Sequence, residues 1–224
     1  MRELTTELLE PILARDPAGP RITHYDDATG SRIELSALTL ANWAAKTANM
    51  IRDEFGLQPG ARVSVMLPAH WQTAGVLLGA WWAGAEVVLD DDPDAELAFV
   101  PAGPGPALAA PEVVVLSLDA FGGPVRELPP GAVDYASNVR VHGDQFRPSG
   151  GRSPLLERAR AAAQRFSADD RVLSNLAWAT EDALVDGFLA VLAAGASLVQ
   201  VSNLDPTLLD KRIAEERVTQ TILV

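Results

Sequence analysis

The 224-residue chain contains no cysteine, which excludes disulfides, thiolate nucleophiles and cysteine-ligated zinc. Lysine is nearly absent: Lys46 and Lys211 are two of eighteen basic residues, and arginine supplies the others. No apolar run approaches the ~20 residues that a membrane span requires. The opening MRELTTELLEPILARD is charged and amphipathic where a secretory signal would carry an apolar core. No membrane association is therefore expected, and a cytoplasmic location follows. Basic charge is short as well, giving a net charge of −12 with no basic stripe. Such a surface repels phosphate backbones and anionic lipid, so nucleic acid is not an expected partner. The three histidines, His24, His70 and His142, lack the i, i+4 spacing of a helical zinc pair.

What is present is apolar residues, at 48% of the chain, enough for a sizeable core. Leu4 to Leu13 reads as a short helix stopped by Pro17 and Gly19, followed by a hairpin around Asp26, Asp27 and Gly30. Ser36 caps a longer helix whose Ala41, Ala44, Ala45, Ala48, Ile51 and Phe55 share a face, ended by Gly56 and the Pro59-Gly60 turn. Arg62 to Leu67 has the continuous apolar character of a buried parallel strand. A helix from Trp71 to Ala83 follows, Gly84 takes the left-handed position after it, and Glu86 to Leu89 is the next strand.

The same order returns later in the chain. Arg171 to Leu173 opens a strand, Thr180 with Glu181 and Asp182 starts a helix, Gly195 ends it, and Ser197 to Val201 is a strand. AWWAGAEVV (Ala80 to Val88) and VLAAGASLV (Val191 to Val199) carry one pattern twice, each followed at equal distance by an aspartate and a leucine, Asp94 with Leu97 and Asp205 with Leu208. Asp205-Pro206 caps a last helix through Glu216, and Val218 to Val224 is a final strand. Two related βαβ lobes with largely parallel sheets flanked by helices are expected, joined by right-handed crossovers. Lobe 1 spans about 36–118 and includes a strand at Val113 to Leu118. An irregular connector spans about 119–152, and lobe 2, opening with a helix from Pro154 to Phe166, spans about 153–224. Asp90 to Asp94 and Pro101 to Pro111 read as loops.

These residues carry a family resemblance. LTLANWAAKTANMIRDEFG (Leu38 to Gly56) and the following PGARVSVMLPAHWQTAGVLLGAWWAGAEVV resemble the opening of adenylate-forming (AMP-binding, acyl-CoA-synthetase-like) enzymes. There, a helix, a Gly-Asp-Arg-Val turn, a strand and a helix ending in Gly-Ala follow one another. Leu155 to Val224, with its Asp-Asp-Arg-Val at Asp169 to Val172, resembles the section after the family's nucleotide loop. The resemblance is to the N-terminal part of the superfamily, and to the short AMP-binding-like proteins of actinobacteria in particular. It implies a single truncated adenylate-forming-like domain over 1–224.

The resemblance also defines what adenylation would need. The family's phosphate loop is rich in Ser, Thr and Gly and ends in Pro-Lys-Gly, because small residues admit phosphate to backbone N–H groups and lysine neutralises its charge. The corresponding stretch here is YASNVRVHGDQFRPSGG (Tyr135 to Gly151), with Tyr135 and Ser137 standing as relics of the loop; Arg140 or Arg147 is the available substitute cation, but the bulky Val-Arg-Val run would hold phosphate away from the backbone. Neither lysine falls in it. The adenine segment, the ribose-binding aspartate and the lid lysine of the family have no counterpart in these 224 residues. Where the family often carries a histidine near its acyl pocket, the chain reads Leu176-Ala177-Trp178-Ala179-Thr180, so Trp178 and Thr180 are the candidates there for ligand binding.

The remaining constellations read as structural. Asp90, Asp91, Asp92 and Asp94 form a solvated turn without the alternating ligands of a calcium loop, so no metal is expected. His70, at a strand end, is the best single candidate for a general base, yet no Gly-x-Ser-x-Gly motif supplies it with a nucleophile. No catalytic residue and no cofactor are expected. The function these readings support is that of a catalytically silent acyl-CoA-synthetase-like protein acting through a small acyl or nucleotide ligand or a protein partner. The alternative is a subunit of an acyl-adenylating ligase completed by another polypeptide. The apolar strand ending in Ile222, Leu223 and Val224, with Trp71, Trp81 and Trp82 as further uncovered surface, leads to the expectation of a homodimer or a protein complex.

Overall fold

The computed structural model describes residues 3–104, 108–148 and 153–224, and these form two compact units, each assembled from separate stretches of chain. Unit 1 comprises Met1–Thr6, Ala41–Pro68 and Gln72–Arg152. Unit 2 comprises Glu7–Leu40, Ala69–Trp71 and Ser153–Val224. The early hairpin, which lies outside both lobes of the sequence reading, thus belongs to unit 2. No helix of the described residues is long and apolar enough to cross a membrane.

The helix α1 (Leu4–Arg15) opens the chain, and the hairpin β1 (Pro20–Asp26) and β2 (Ser31–Ser36) follows it. The turn between the strands is closed by the Gly30 N–H on the Asp26 carbonyl, with Gly30 at φ +71°. α2 (Ala37–Asn49) starts at Ser36, whose Oγ accepts from the Thr39 N–H at 3.1 Å, and it widens into a π turn at Met50–Glu54.

Unit 1 is built on β3 (Arg62–Val65), β4 (Glu86–Val88), β5 (Leu97–Pro101), β6 (Glu112–Leu116) and β7 (Val133–Asp134). The strands lie in the order β4-β3-β5-β6-β7 and every pairing is parallel. α3 (Trp71–Trp82) makes the β3 to β4 crossover, and α4 (Tyr135–Val139) follows β7 directly. Two-sided burial is what the apolar strands demand: Val63, Leu97, Ala98, Phe99 and Val114 are fully buried.

Unit 2 holds α5 (Leu155–Ala163), β8 (Arg171–Ser174), α6 (Glu181–Leu184), α7 (Ala190–Ala193), β9 (Ser197–Ser202), α8 (Leu209–Glu216) and β10 (Gln220–Ile222). A π turn at Val185–Leu189 joins α6 to α7, and a 3-10 turn at Pro206–Leu208 precedes α8. The sheet order is β10-β8-β9-β1-β2, parallel except for the β1–β2 hairpin. Because side chains alternate across a strand, this register sorts the sheet into two faces. Leu173, Val199, Val201 and Tyr25 lie on one, where Leu209, Ile213 and Val218 pack on them. Ile22, Leu198 and Val172 lie on the other, followed by the row His24, Gln200 and Ser174.

The two βαβ modules form as the repeated pattern predicts. β3 pairs parallel with β4 and β8 with β9, and Gly84 and Gly195 both sit at positive φ, +83° and +76°, directly after their helices. Asp205 caps its turn through Thr207 N–H with Pro206 at the first helical position. Three elements depart from the sequence reading. β5 occupies the centre of the unit 1 sheet where no strand is expected, and β7 with α4 orders part of the expected irregular connector. The final strand is confined to Gln220–Ile222. Trp71 and Trp81 are buried and not uncovered surface, and the half-buried Trp82 donates its indole N–H to Thr6 Oγ1 at 2.9 Å.

Candidate functional site

In unit 2 the carboxyl ends of β1, β9 and β8 line up, and this edge of a parallel sheet is where α/β folds place their ligands. His24, Gln200 and Ser174 are all buried there. Beyond β8, the Asn175 to Thr180 loop crosses this edge, held by Gln200 Nε2 donating to the Leu176 carbonyl at 3.1 Å. Trp178, at the loop's centre, is 2% exposed and stacks on Phe188 with ring centroids 4.5 Å apart. Thr180 then caps α6 by accepting from Ala183 N–H at 3.3 Å. Glu181 and Asp182 in the first turn both pair with Arg158.

The unusual feature is unspent hydrogen-bonding capacity. Trp178 Nε1 and Gln200 Oε1 are both buried and both lack a partner among the described residues, although leaving a buried polar group unpaired costs roughly 1–3 kcal/mol. Gly187 in the π turn keeps the indole edge clear: a Cβ there would stand 3.4 Å from Trp178 Nε1 and 3.1 Å from Leu176 Cβ. π turns inside α-helices recur at functional sites. Chemically these residues carry an aromatic ring, one N–H donor and one amide acceptor, all of them uncharged.

Unit 1 receives the other two residues singled out in the sequence. Tyr135 opens α4, whose N-cap Asp134 accepts from Ser137 N–H at 3.2 Å and from Val125 N–H at 3.0 Å. The Tyr135 ring is 1% exposed, lies 6.1 Å from Trp43 and meets Phe99 edge-on. Its hydroxyl shares a 2.7 Å hydrogen bond with Thr47 Oγ1, and burial pushes the phenol above its ordinary range. Ser137 is exposed. Tyr135 and Ser137 thus share one short helix in unit 1, while Trp178 and Thr180 share one loop in unit 2. Ser149 to Arg152, including the end of the segment expected to stand for the phosphate loop, lie outside the described residues.

Lys46, Lys211 and Arg140 are placed as structural groups. Lys46 Nζ donates to the His142 carbonyl at 2.6 Å, and Lys211 lies 3.8 Å from Glu215 on α8. Arg140 donates to the Gly122 carbonyl at 2.7 Å and sits over the Trp43 ring. In the acidic turn, Asp92 and Asp94 face Arg62 at 3.3 and 3.4 Å, and Asp91 accepts from Ala109 N–H. His70 is buried, its ring edge-on to His24 at 4.3 Å. Sequence reasoning missed Gln200, Gly187 and Phe188. The signal for Gln200 is its place as an uncharged polar residue inside the apolar run of SLVQVS, at a position that alternation buries.

Known structures place this architecture. The chain superposes on an acyl-CoA synthetase of Brucella canis with a TM-score of 0.76 at 17% identity, covering 99% of this chain and 47% of that one. An acetoacetyl-CoA synthetase from Streptomyces lividans matches at TM-score 0.72 and 18% identity (99% and 42%). A benzoate CoA ligase from Burkholderia xenovorans matches at 0.72 and 13% (99% and 50%). The fold is therefore that of the N-terminal domain of the acyl-CoA synthetases, and the chain spans about half the length of those enzymes. No protein-family model matches the sequence. A TIGR03089 family protein of Mycobacterium tuberculosis is 54% identical over 237 aligned positions, covering 98% of both chains. The chain belongs to that family.

Proposed function

We propose that this protein is a catalytically silent acyl-CoA-synthetase-like protein that binds a small acyl-type ligand, or a protein partner, and does not adenylate a carboxylate. The observation that carries this reading is the disposition of lysine. No lysine occurs between Lys46 and Lys211, so the segment corresponding to the phosphate loop lacks the lysine with which the family meets developing phosphate charge. Arg140, the cation nearest in sequence to the relic residues, is committed to Gly122 and Trp43. The open donor at Trp178 and acceptor at Gln200 support a binding role on the unit 2 sheet edge, and Tyr135 and Ser137 remain the proposed relics of the nucleotide loop.

Carboxylate-dependent ATP–pyrophosphate exchange tests the reading, run on the purified chain beside a competent acyl-CoA synthetase. Background exchange across short-chain, branched and aromatic acids is the expected result. In parallel, a thermal shift by one of those acids that is lost in Trp178→Phe supports binding at the indole. Exchange above background overturns catalytic silence. Exchange that appears only when a second polypeptide is added supports a subunit of a split ligase in its place.

A further inference from the structure

We propose, on the reading of 135–151 as the counterpart of the phosphate loop, that residues 138–147 form a strap buckled onto α2 and its π turn, an inhibitory contact that holds this counterpart shut. Every partner in the buckle belongs to unit 1. Lys46, Asn49 and Arg52 recur at every third residue and so share one face of the helix. Lys46 Nζ donates to the His142 carbonyl at 2.6 Å, and Asn49 Nδ2 donates to the carbonyls of Gly143 at 2.8 Å and Gln145 at 2.9 Å. Arg52 Nη2 donates to Asn49 Oδ1 at 2.7 Å, which turns the amide so that its N–H groups face the strap. The Arg52 guanidinium also lies 4.8 Å from the centre of the Phe146 ring, and Trp82 of α3 is 6.3 Å from the same ring. Glu54 ties both ends: one carboxylate oxygen accepts from Asn138 Nδ2 at 2.6 Å, and the other is 3.0 Å from His142 Nε2.

A loop that closes on a ligand must first leave its resting contacts. In this strap those contacts engage the backbone itself, and the one from Lys46 is charge-assisted and therefore stronger than a neutral bond. The side of the strap that faces α2 is carbonyl oxygen, matched to an ammonium and an amide. Phosphate needs the reverse, N–H groups converging on one point. The N–H groups of Val141 and His142 are already spent on the carbonyls of Asn138 and Val139, at 3.2 and 3.3 Å. Those of Gly143, Asp144 and Phe146 share peptide units with the buckled carbonyls, and in a trans peptide the N–H points opposite to its C=O, so they are turned away from α2. The strap cannot bring them inward without breaking the bonds to Lys46 and Asn49.

Backbone nitrogen relaxation of the full chain measures the strap. Residues 141–146 should be as ordered as α4, with order parameters of about 0.85. Asn49→Asp keeps the shape and the pairing with Arg52 but sets an acceptor against two carbonyl oxygens, and should bring the strap below about 0.6 while α2 keeps its order. A strap that is already mobile in the unmodified protein, or that stays ordered in Asn49→Asp, overturns the proposal. Inorganic pyrophosphate at millimolar concentration should leave the strap amides of the unmodified protein unshifted, and shifts confined to them overturn the inhibitory role. Should Asn49→Asp fail to fold, Lys46→Met takes its place, with chymotrypsin cleavage after Phe146 as the readout. Cleavage about tenfold faster is then expected, and an unchanged rate overturns the strap. ATP–pyrophosphate exchange separates this from the proposed function: a mobile strap with background exchange sinks the strap alone, whereas exchange above background overturns catalytic silence without touching an ordered strap.

Discussion

Glu216 concentrates more polar contact than any residue of the candidate site. Its carboxylate is 6% exposed, accepts from Arg32 Nε at 2.8 Å, and is also held by the Tyr25 hydroxyl and Arg171. Burial alone would raise its pKa, but the three donors outweigh that and bring it down to about 2. A carboxyl depressed from 4.5 stabilises the fold fully above 4.5 and loses that contribution as pH falls from 4.5 through 2. Glu216→Gln should therefore cost about 2–4 kcal/mol at pH 7, and urea titrations at pH 7 and pH 3 should show the gap narrowing at the lower pH. Tyr135→Phe removes the hydroxyl bonded to Thr47, which keeps its bond to the Trp43 carbonyl. A loss of about 1 kcal/mol in the same titration is the expected outcome. At this scale the sequence is partly legible. Thr180 and Asp205 announce their caps because Ser, Thr and Asp before a helix have one favourable use. The pairing of His24 with His70 has no sequence signal, since a turn and a distant strand supply the two rings.

Elements are legible where the apolar pattern is long. α2, α3 and the strands of both βαβ modules follow from the sequence, while β5 does not, since LAFVP is short, ends in proline and stands among acidic residues. Its place between β3 and β6 comes from parallel pairing with partners far apart in sequence, which a local pattern does not encode. The π turn at Val185–Leu189 is likewise invisible beforehand, because ALVDGFLAVLAA satisfies a plain α-helix. α2 and α3 approach each other at Gly79, where an added Cβ would lie 2.5 Å from Thr47 Cβ and 2.7 Å from the Ala44 carbonyl. Alanine is favoured over glycine in a helix by about 1 kcal/mol, yet here the backbone carbonyl cannot yield. Gly79→Ala is expected to lower stability by about 1–3 kcal/mol, measured as a drop in the urea midpoint with an unchanged slope.

For the whole molecule, the proposed partner is a second copy or another protein. β10 forms one edge of the unit 2 sheet, and among the described residues Phe121 and Val141 are 77% and 81% exposed. Each copy carries −12, so a homodimer should hold or tighten as salt shortens the Debye length to about 8 Å and below. Light scattering across a salt series that reports a monomer throughout would rule that dimer out. The fold class was legible at this scale because two copies of helix, Ala-Gly-Ala and strand leave few right-handed arrangements. How the early hairpin is used was not, since its partner lies at the other end of the sequence. That partnership, Ile22 of β1 beside Leu198 of β9, has a consequence for synthesis on the ribosome. The sheet of unit 2 cannot close until β9 has emerged, so the first hairpin waits with an open edge while most of the chain is translated. Non-local closure of this kind slows folding and exposes a pairing-competent strand to other nascent chains. Chains arrested before residue 197 should therefore be captured by holding chaperones through β1, and release should coincide with the appearance of β9.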